Sequence, residues 1–588
     1  GQPADPGRRG GRLGLGAARG ASRRAGHVRA GSVVFSVNHS KSLKTMLAPI
    51  FKSEDLDRDT SELIEIARDY LQTLKRLLTD LNCAIGLALK WKKKVPILKI
   101  FDKIFRTATT IPLLLQSPEP AEFKQFARGF KQPLIDEIHD LDSLDGLRED
   151  IQSLLQLINL GLRFLKNAGN LQDITYVIRW DGKGDLERWK LVNTDGTPVT
   201  IQQTTHQIGV TEDYVVLMDT SLKIGLAQLI ALKNEKLDRF VREKLDYPQL
   251  PDSSIYLVPR SELKDGEKPI GNDPSQTKEV TVKKLSIPRE GFHFHVNYTN
   301  PDDKITLHAI HACAWDVAEW LRKADLPLTD NPRPPVGMMV DGMDINQMGR
   351  YEIDCRTGAL ISSELIYSDS TWATGLYAHS KVKHDDEWLP PEIFDNIYLH
   401  SYGAWGDLLS DFISDLYKNY KYREIPAETV REISKSGKPS HFCRLDTQKM
   451  ELLDNYQFPE GYFANSPQFV PRADGSGGSK DGYIVCTVNY NPDPCNRLKT
   501  SQSEIWIFDG NNLQGGPLCK MRHPLFNVGF STHTIWLPKI ARRNSSYCIP
   551  VREDFQGRVE QAAPELPEVQ KRLEQLFENE VYPHFPCN

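Results

Sequence analysis

Fifteen histidines are spread through the chain, and a neutral imidazole is a good ligand for borderline metals. Three of them stand in strand-like contexts far apart in sequence. His206 lies in Thr204-Thr-His-Gln-Ile-Gly-Val-Thr-Glu-Asp-Tyr-Val-Val-Leu217, a short loop entering a strand. His293 and His295 lie in Phe292-His-Phe-His-Val-Asn-Tyr298, where the two-residue period of a strand sets both imidazoles on one face. His533 lies in Gly529-Phe-Ser-Thr-His-Thr-Ile-Trp-Leu-Pro538. Each alone reads as a satisfied histidine near a strand end. Delivered together by separate sheets to one axis, they would hold a metal. His308 and His311, three residues apart, point to different faces if their segment is extended. His400, in Ile397-Tyr-Leu-His-Ser-Tyr-Gly403, opens a loop and is expected at the surface, with a substrate-tunnel position as the other reading. No Ser-His-Asp elbow, His-Glu-x-x-His zinc motif or P-loop occurs, so hydrolase and nucleotide chemistry find no support.

The elements that would position these residues change along the chain. Residues 1–31 are rich in Arg, Gly and Ala, hold one acid, Asp5, and read as a disordered tail. The first residue is not Met, which suggests a truncated or mis-started sequence. Residues 32–169 form a mainly helical section: Leu63, Ile66, Tyr70, Leu74 and Leu77, and later Ile151, Leu154, Ile158 and Leu162, recur at three- and four-residue steps. Within it, residues 85–115 mix the run Lys90-Trp-Lys-Lys-Lys94 with apolar residues, as membrane-surface helices do. From 170 to 588 the texture is one of short strands divided by turns, among them 173–180, 189–192, 214–217, 292–298, 483–488, 504–508 and 534–537. Helical inserts are expected at 314–324 and 406–420. The fold class is therefore mainly β, in a closed or radially repeated architecture with an N-terminal helical section.

The chain has 588 residues with 73 basic and 78 acidic side chains, a balance that gives no reason to expect nucleic acid as a partner. Nine cysteines at wide spacing, none in a Cys-x-x-Cys pair, point to a reducing, cytoplasmic setting. No apolar run approaches the length of a spanning helix.

Taken together, the segments around His206, around His293 and His295, and around His533, with Ser466-Pro-Gln-Phe-Val-Pro-Arg472 and Ser503-Glu-Ile-Trp-Ile-Phe-Asp509 between them, resemble the carotenoid cleavage oxygenase family and follow its order. The resemblance covers 170–588. It implies a seven-bladed β-propeller with an axial non-haem Fe(2+) held by four histidines. It also implies an Fe(II)-dependent dioxygenase that cleaves a conjugated C=C bond of a carotenoid, apocarotenoid or related polyene with O₂ to give carbonyl products. Its partners would then be a lipophilic polyene and O₂, with peripheral membrane contact through residues 85–115.

Carried over by position, His206 is the second iron ligand, His295 the third, with His293 as its alternative, and His533 the fourth. The first ligand is expected in an upstream strand segment that often reads Ala-His-Pro. No histidine lies between 140 and 205, so the candidates are His39, after the strand-like Ser32-Val-Val-Phe-Ser-Val-Asn38, and His139. His39 requires the helical section to be an insertion. A missing first ligand is the other reading, and it would leave a non-catalytic or truncated propeller that binds lipophiles. A glutamate that often supports one ligand in the family is replaced here by Ser466, while Glu364 or Asp369 could fill another supporting position.

Overall fold

Apolar alternation decides most of this fold. The computed structural model describes residues 33–38, scattered positions between 68 and 89 and, with short gaps, 141–585. The tail 1–31, His39, His139 and all of 85–115 except Ile85, Gly86 and Leu89 lie outside the described residues. Among those described, five four-stranded sheets and one two-stranded hairpin dominate. The protein is mainly β.

In the first sheet, β1 (Val33–Asn38) pairs antiparallel with β2 (Thr175–Trp180), and β2 with β3 (Glu187–Val192). The second is built from β4 (Ile208–Val210), β5 (Tyr214–Met218) and β6 (Asp252–Pro259). β7 (Glu279–Thr281) returns to the first sheet beside β3 in the parallel sense, and β8 (Lys283–Pro288) completes the second. A third sheet is the meander β9 (Gly291–Val296), β10 (Lys304–His311), β11 (Gln347–Asp354) and β12 (Ala359–Ile366). After β13 (Thr374–His379), the short hairpin β14 (Val382–His384) and β15 (Glu387–Leu389) precedes β16 (Asn396–Ser401), β17 (His441–Asp446) and β18 (Glu451–Gln457), which join β13 in the fourth sheet. The fifth is β19 (Tyr462–Pro471), β20 (Gly482–Tyr490), β21 (Gln502–Asp509) and β22 (Asn512–Met521). The strands β4, β9, β13 and β19 thus each stand at the first edge of an antiparallel sheet.

The helices are few. α1 (Leu141–Asn167) buries Ile151, Leu154 and Ile158, the stripe expected from their spacing. It lies in the stretch of chain between β1 and β2, which are hydrogen-bonded neighbours. α2 (Asp411–Tyr417) is capped by Ser410, whose hydroxyl accepts from the Ile413 N–H, and α3 (Ala427–Ser436) follows. The helix expected at 314–324 is not formed. Cys313 and Ala314 take left-handed backbone angles, and Asp316 and Glu319 are pulled inward to Lys223 and Arg242 at 3.1 Å each. Buried ion pairs there outweigh helix propensity.

Strand β20 alternates buried and half-buried residues along its whole length, so Ile484, Cys486 and Val488 face the core beside Trp506 and Phe508. β9 is different. All six of its residues are buried, so both of its faces are covered. The chain divides into two compact units, Gly1–Ile535 and Trp536–Asn588. The second unit holds α4 (Val551–Glu560) and α5 (Pro567–Leu576), with Arg552 forked onto Glu578 at 2.6 and 2.8 Å. No helix among the described residues is long and apolar enough to cross a membrane.

Candidate metal centre

His206 leaves the second sheet two residues before β4, and His293 projects from β9. What brings them together is a close approach of β4 to β9 at Gly209, where a Cβ would fall 2.9 Å from Val296 Cγ2 and 3.0 Å from the Phe294 ring. Only hydrogen fits. His206 Nε2 and His293 Nε2 are 3.1 Å apart.

His533 arrives from a segment without regular structure. The strand expected at 534–537 is absent, and side chains of the fifth sheet hold the backbone instead. Asn489 Nδ2 and Ser503 Oγ each donate to the Val528 carbonyl at 2.9 Å, and Ser466 Oγ donates to Thr534 Oγ1 at 3.0 Å. The His533 ring centroid is 6.0 Å from that of His206 and 5.7 Å from that of His293. One ligand atom from each of the three lies within 4.8 Å of the others.

His295 is not part of this group. Two residues along a strand is a displacement of roughly 6.8 Å, and its ring packs instead on Tyr377, 4.2 Å away, and on Phe394 and His379. The structure thus groups His293, and not the His295 that the sequence reading preferred, with His206 and His533.

The electrostatics suit a metal. Burial, then the rings of His206 and His533, hold the His293 imidazole far below its ordinary value. Burial and His533 lower His206, and burial lowers His533. All three are neutral at pH 7, with lone pairs free for coordination. Metal–imidazole bonds of about 2.1 Å place adjacent ligand nitrogens about 3 Å apart, which is the His206–His293 separation. The residues fit a borderline divalent metal.

Gln207, the residue after His206, fastens the arrangement. Its Oε1 accepts from the Phe294 N–H at 3.1 Å, and its Nε2 donates to Tyr377 Oη at 2.8 Å. One amide thus ties together the segment of His206, the strand of His293 and β13. The sequence reading passed over Gln207, although its place beside a candidate ligand was visible. Phe292 lies flat against His206 at 5.9 Å and joins Trp315, Leu376 and Tyr402 in an apolar cluster beside the histidines.

The remaining candidates have other occupations. Glu364 pairs with Arg350 at 2.7 Å, and Asp369 with Lys438 at 2.6 Å. His311 is buried and bonded through Nε2 to Tyr351 Oη at 2.8 Å. His308 faces His295 across β10 and β9, on the opposite side from His311. His400 is fully buried on β16 between Tyr402 and Phe442, not at the surface, because the strand continues through it.

Five four-stranded, mostly antiparallel sheets and a trio of histidines that could hold a metal ion define a mainly β protein with a candidate metal centre. The family follows from comparison: the model of the retinal pigment epithelial membrane protein family matches residues 156–538, a stretch that contains His206, His293 and His533. The chain belongs to that family, the carotenoid oxygenase family. No curated protein matches it.

Proposed function

We propose that this chain is an Fe(II)-dependent dioxygenase that cleaves a conjugated C=C bond of a carotenoid, apocarotenoid or related polyene with O₂ to give two carbonyl products. The observation that supports it most is the meeting of three neutral imidazoles within 4.8 Å in a member of this family. His206, His293 and His533 would hold the iron, and iron bound there would supply the activation of O₂. The protein's own part is to position. Gln207 fixes the His206 and His293 segments against each other, Ser466 holds the His533 segment, and the wall of Phe292, Trp315 and Tyr402 offers an apolar face for a polyene. No side-chain nucleophile is required.

The architecture we propose is the seven-bladed propeller, with β4, β9, β13 and β19 as inner strands. The domains are the tail 1–31, a helical section 32–169 and a propeller 170–588. His39 would be the first ligand, completing the set of four: the strand that precedes it pairs with β2, so the helical stretch falls between neighbouring strands as an insertion would. A cytoplasmic location, with membrane contact through residues 85–115, completes the reading.

Iron content of the purified full chain tests it. About one iron per chain is expected, lost in His206→Ala, His293→Ala and His533→Ala, reduced in His39→Ala and kept in His295→Ala. Polyene cleavage to carbonyl products should follow the same order. A chain that binds no iron overturns the enzyme reading in favour of a lipophile-binding module.

A further inference from the structure

A second group of imidazoles lies beside the first. His295 stands opposite His308 in the β9–β10 register, and its ring is 5.4 Å from that of His379 at the end of β13. His379 Nδ1 donates to the Ser380 carbonyl at 2.9 Å, and the next residue is Lys381, whose charge acts on both His295 and His379. His295 and His308 are 9% and 4% exposed, yet His295 Nε2 and both ring nitrogens of His308 have no hydrogen-bond partner. An unmatched buried polar atom costs about 1–3 kcal/mol. Three in one place call for ligand atoms that the surrounding side chains do not provide.

Cations and imidazoles surround them among the described residues, although Arg350 is itself paired with Glu364. Lys381, Arg350 and neighbouring imidazoles are the groups that act on His295, His308 and His379, and among the described residues no carboxylate does. Burial draws the Lys381 ammonium down to about 8. Lys381 is half-buried, in the short connection between β13 and β14. Tyr377, 4.2 Å from His295, accepts from Gln207 and keeps its own O–H to donate. An ammonium, imidazole N–H groups and a phenol match a carboxylate by charge-assisted hydrogen bonds.

We propose that Lys381 with His295, His308 and His379 forms a binding site for the carboxylate of an organic acid, either a small carboxylate or the acid end of a polyene. The polyene case rests on the function proposed above; the carboxylate site itself does not. The site shares β9 and Tyr377 with the metal centre, so an acid bound there would anchor a lipophilic tail next to it.

Binding to the purified full chain, followed by tryptophan fluorescence, provides the test. The probes are a C20 polyene carboxylic acid, the alcohol of the same skeleton, and benzoate. The acid is expected to bind at least tenfold more tightly than the alcohol, with Lys381→Met and His308→Leu each closing that gap to under threefold. Benzoate that displaces the acid and loses affinity in Lys381→Met assigns the site to carboxylates in general; benzoate without effect assigns it to the acid-ended polyene. Should His308→Leu fail to fold, Lys381→Met carries the test. His293→Ala should keep the preference for the acid while losing iron, so loss of the metal reading leaves this one standing. Equal binding of acid and alcohol, or a preference that survives Lys381→Met, overturns the site.

Discussion

Ser466 takes a left-handed backbone angle, φ 43°, in the bulged stretch of β19 where the ladder to β20 shifts register. The strain aims its hydroxyl at Thr534 Oγ1, and Thr534 Oγ1 in turn meets the Ser466 carbonyl at 3.0 Å. The position where the family resemblance expects a glutamate thus acts on the backbone that carries His533 and not on an imidazole. Groups that orient metal ligands are commonly worth about 10–100-fold in metal affinity. Ser466→Ala is therefore expected to weaken iron binding about tenfold with little change in melting temperature, as read by metal titration and calorimetry. Gln207→Ala should do more. It orphans the buried Phe294 N–H, an unmet donor worth about 1–3 kcal/mol, so both melting temperature and iron affinity should fall, while Gln207→Glu, which still accepts from that N–H, restores most of the stability. At this scale the sequence pointed to the residue types that could hold a metal, and it favoured His295 where His293 is the one that lies beside His206 and His533. His293 and His295 share a face by strand period, and the choice between them is made by an approach of two sheets that no spacing encodes.

Sheet β4–β5–β6–β8 meets sheet β9–β12 where Gly209 faces Val296 and Phe294, and the metal centre depends on that closeness. A side chain there must push β4 outward, since overpacking of a filled core costs about 1–3 kcal/mol. Gly209→Val is expected to lower the melting temperature and to cut iron affinity more than tenfold, because His206 moves with β4 while His293 stays on β9. Unchanged iron affinity would show that the segment before β4 holds His206 independently of the strand. Strands β2, β3, β5, β9, β20 and β21 were legible in the sequence, since each carries the alternation or apolar run that a half-covered or fully covered sheet requires. Two elements were not. The stretch 314–324 has helix-forming residues, but two of its acids serve buried cations. The stretch 534–537 alternates like a strand, but it has no neighbouring strand to complete a ladder and is held through Thr534.

Across the whole molecule, the mainly β class was visible from periodicity, whereas its buried titratable groups were not, because burial is a property of the finished packing. They set how the fold responds to acid. Burial lowers His308 and His311 to about 4 and His379 and His400 to about 3. The unfolded chain takes up these protons near 6.5 and the folded chain does not, so the stability these histidines contribute is complete above 6.5 and is lost as pH falls toward their folded values. Buried acids work in the other direction: Glu290 and Asp341 are raised to about 7 and Asp219 to about 6 by burial. They stay protonated in the fold while their unfolded counterparts ionise, and so they take stability away as pH climbs from about 4 toward 7. Between roughly pH 4.5 and 6.5 the two sets oppose each other and the curve should be shallow. Below about 4.5 the raised acids no longer contribute, while these histidines, together with carboxylates such as Asp369 and Glu424 that hydrogen bonds hold below the ordinary range, favour the unfolded chain. A steep, cooperative acid unfolding confined to pH below 4.5, with uptake of more than one proton, is the expected result of urea titrations at stepped pH. His400→Phe, which removes one such group inside an aromatic setting, should make that descent less steep; an unaltered slope would mean that His400 does not take part in it.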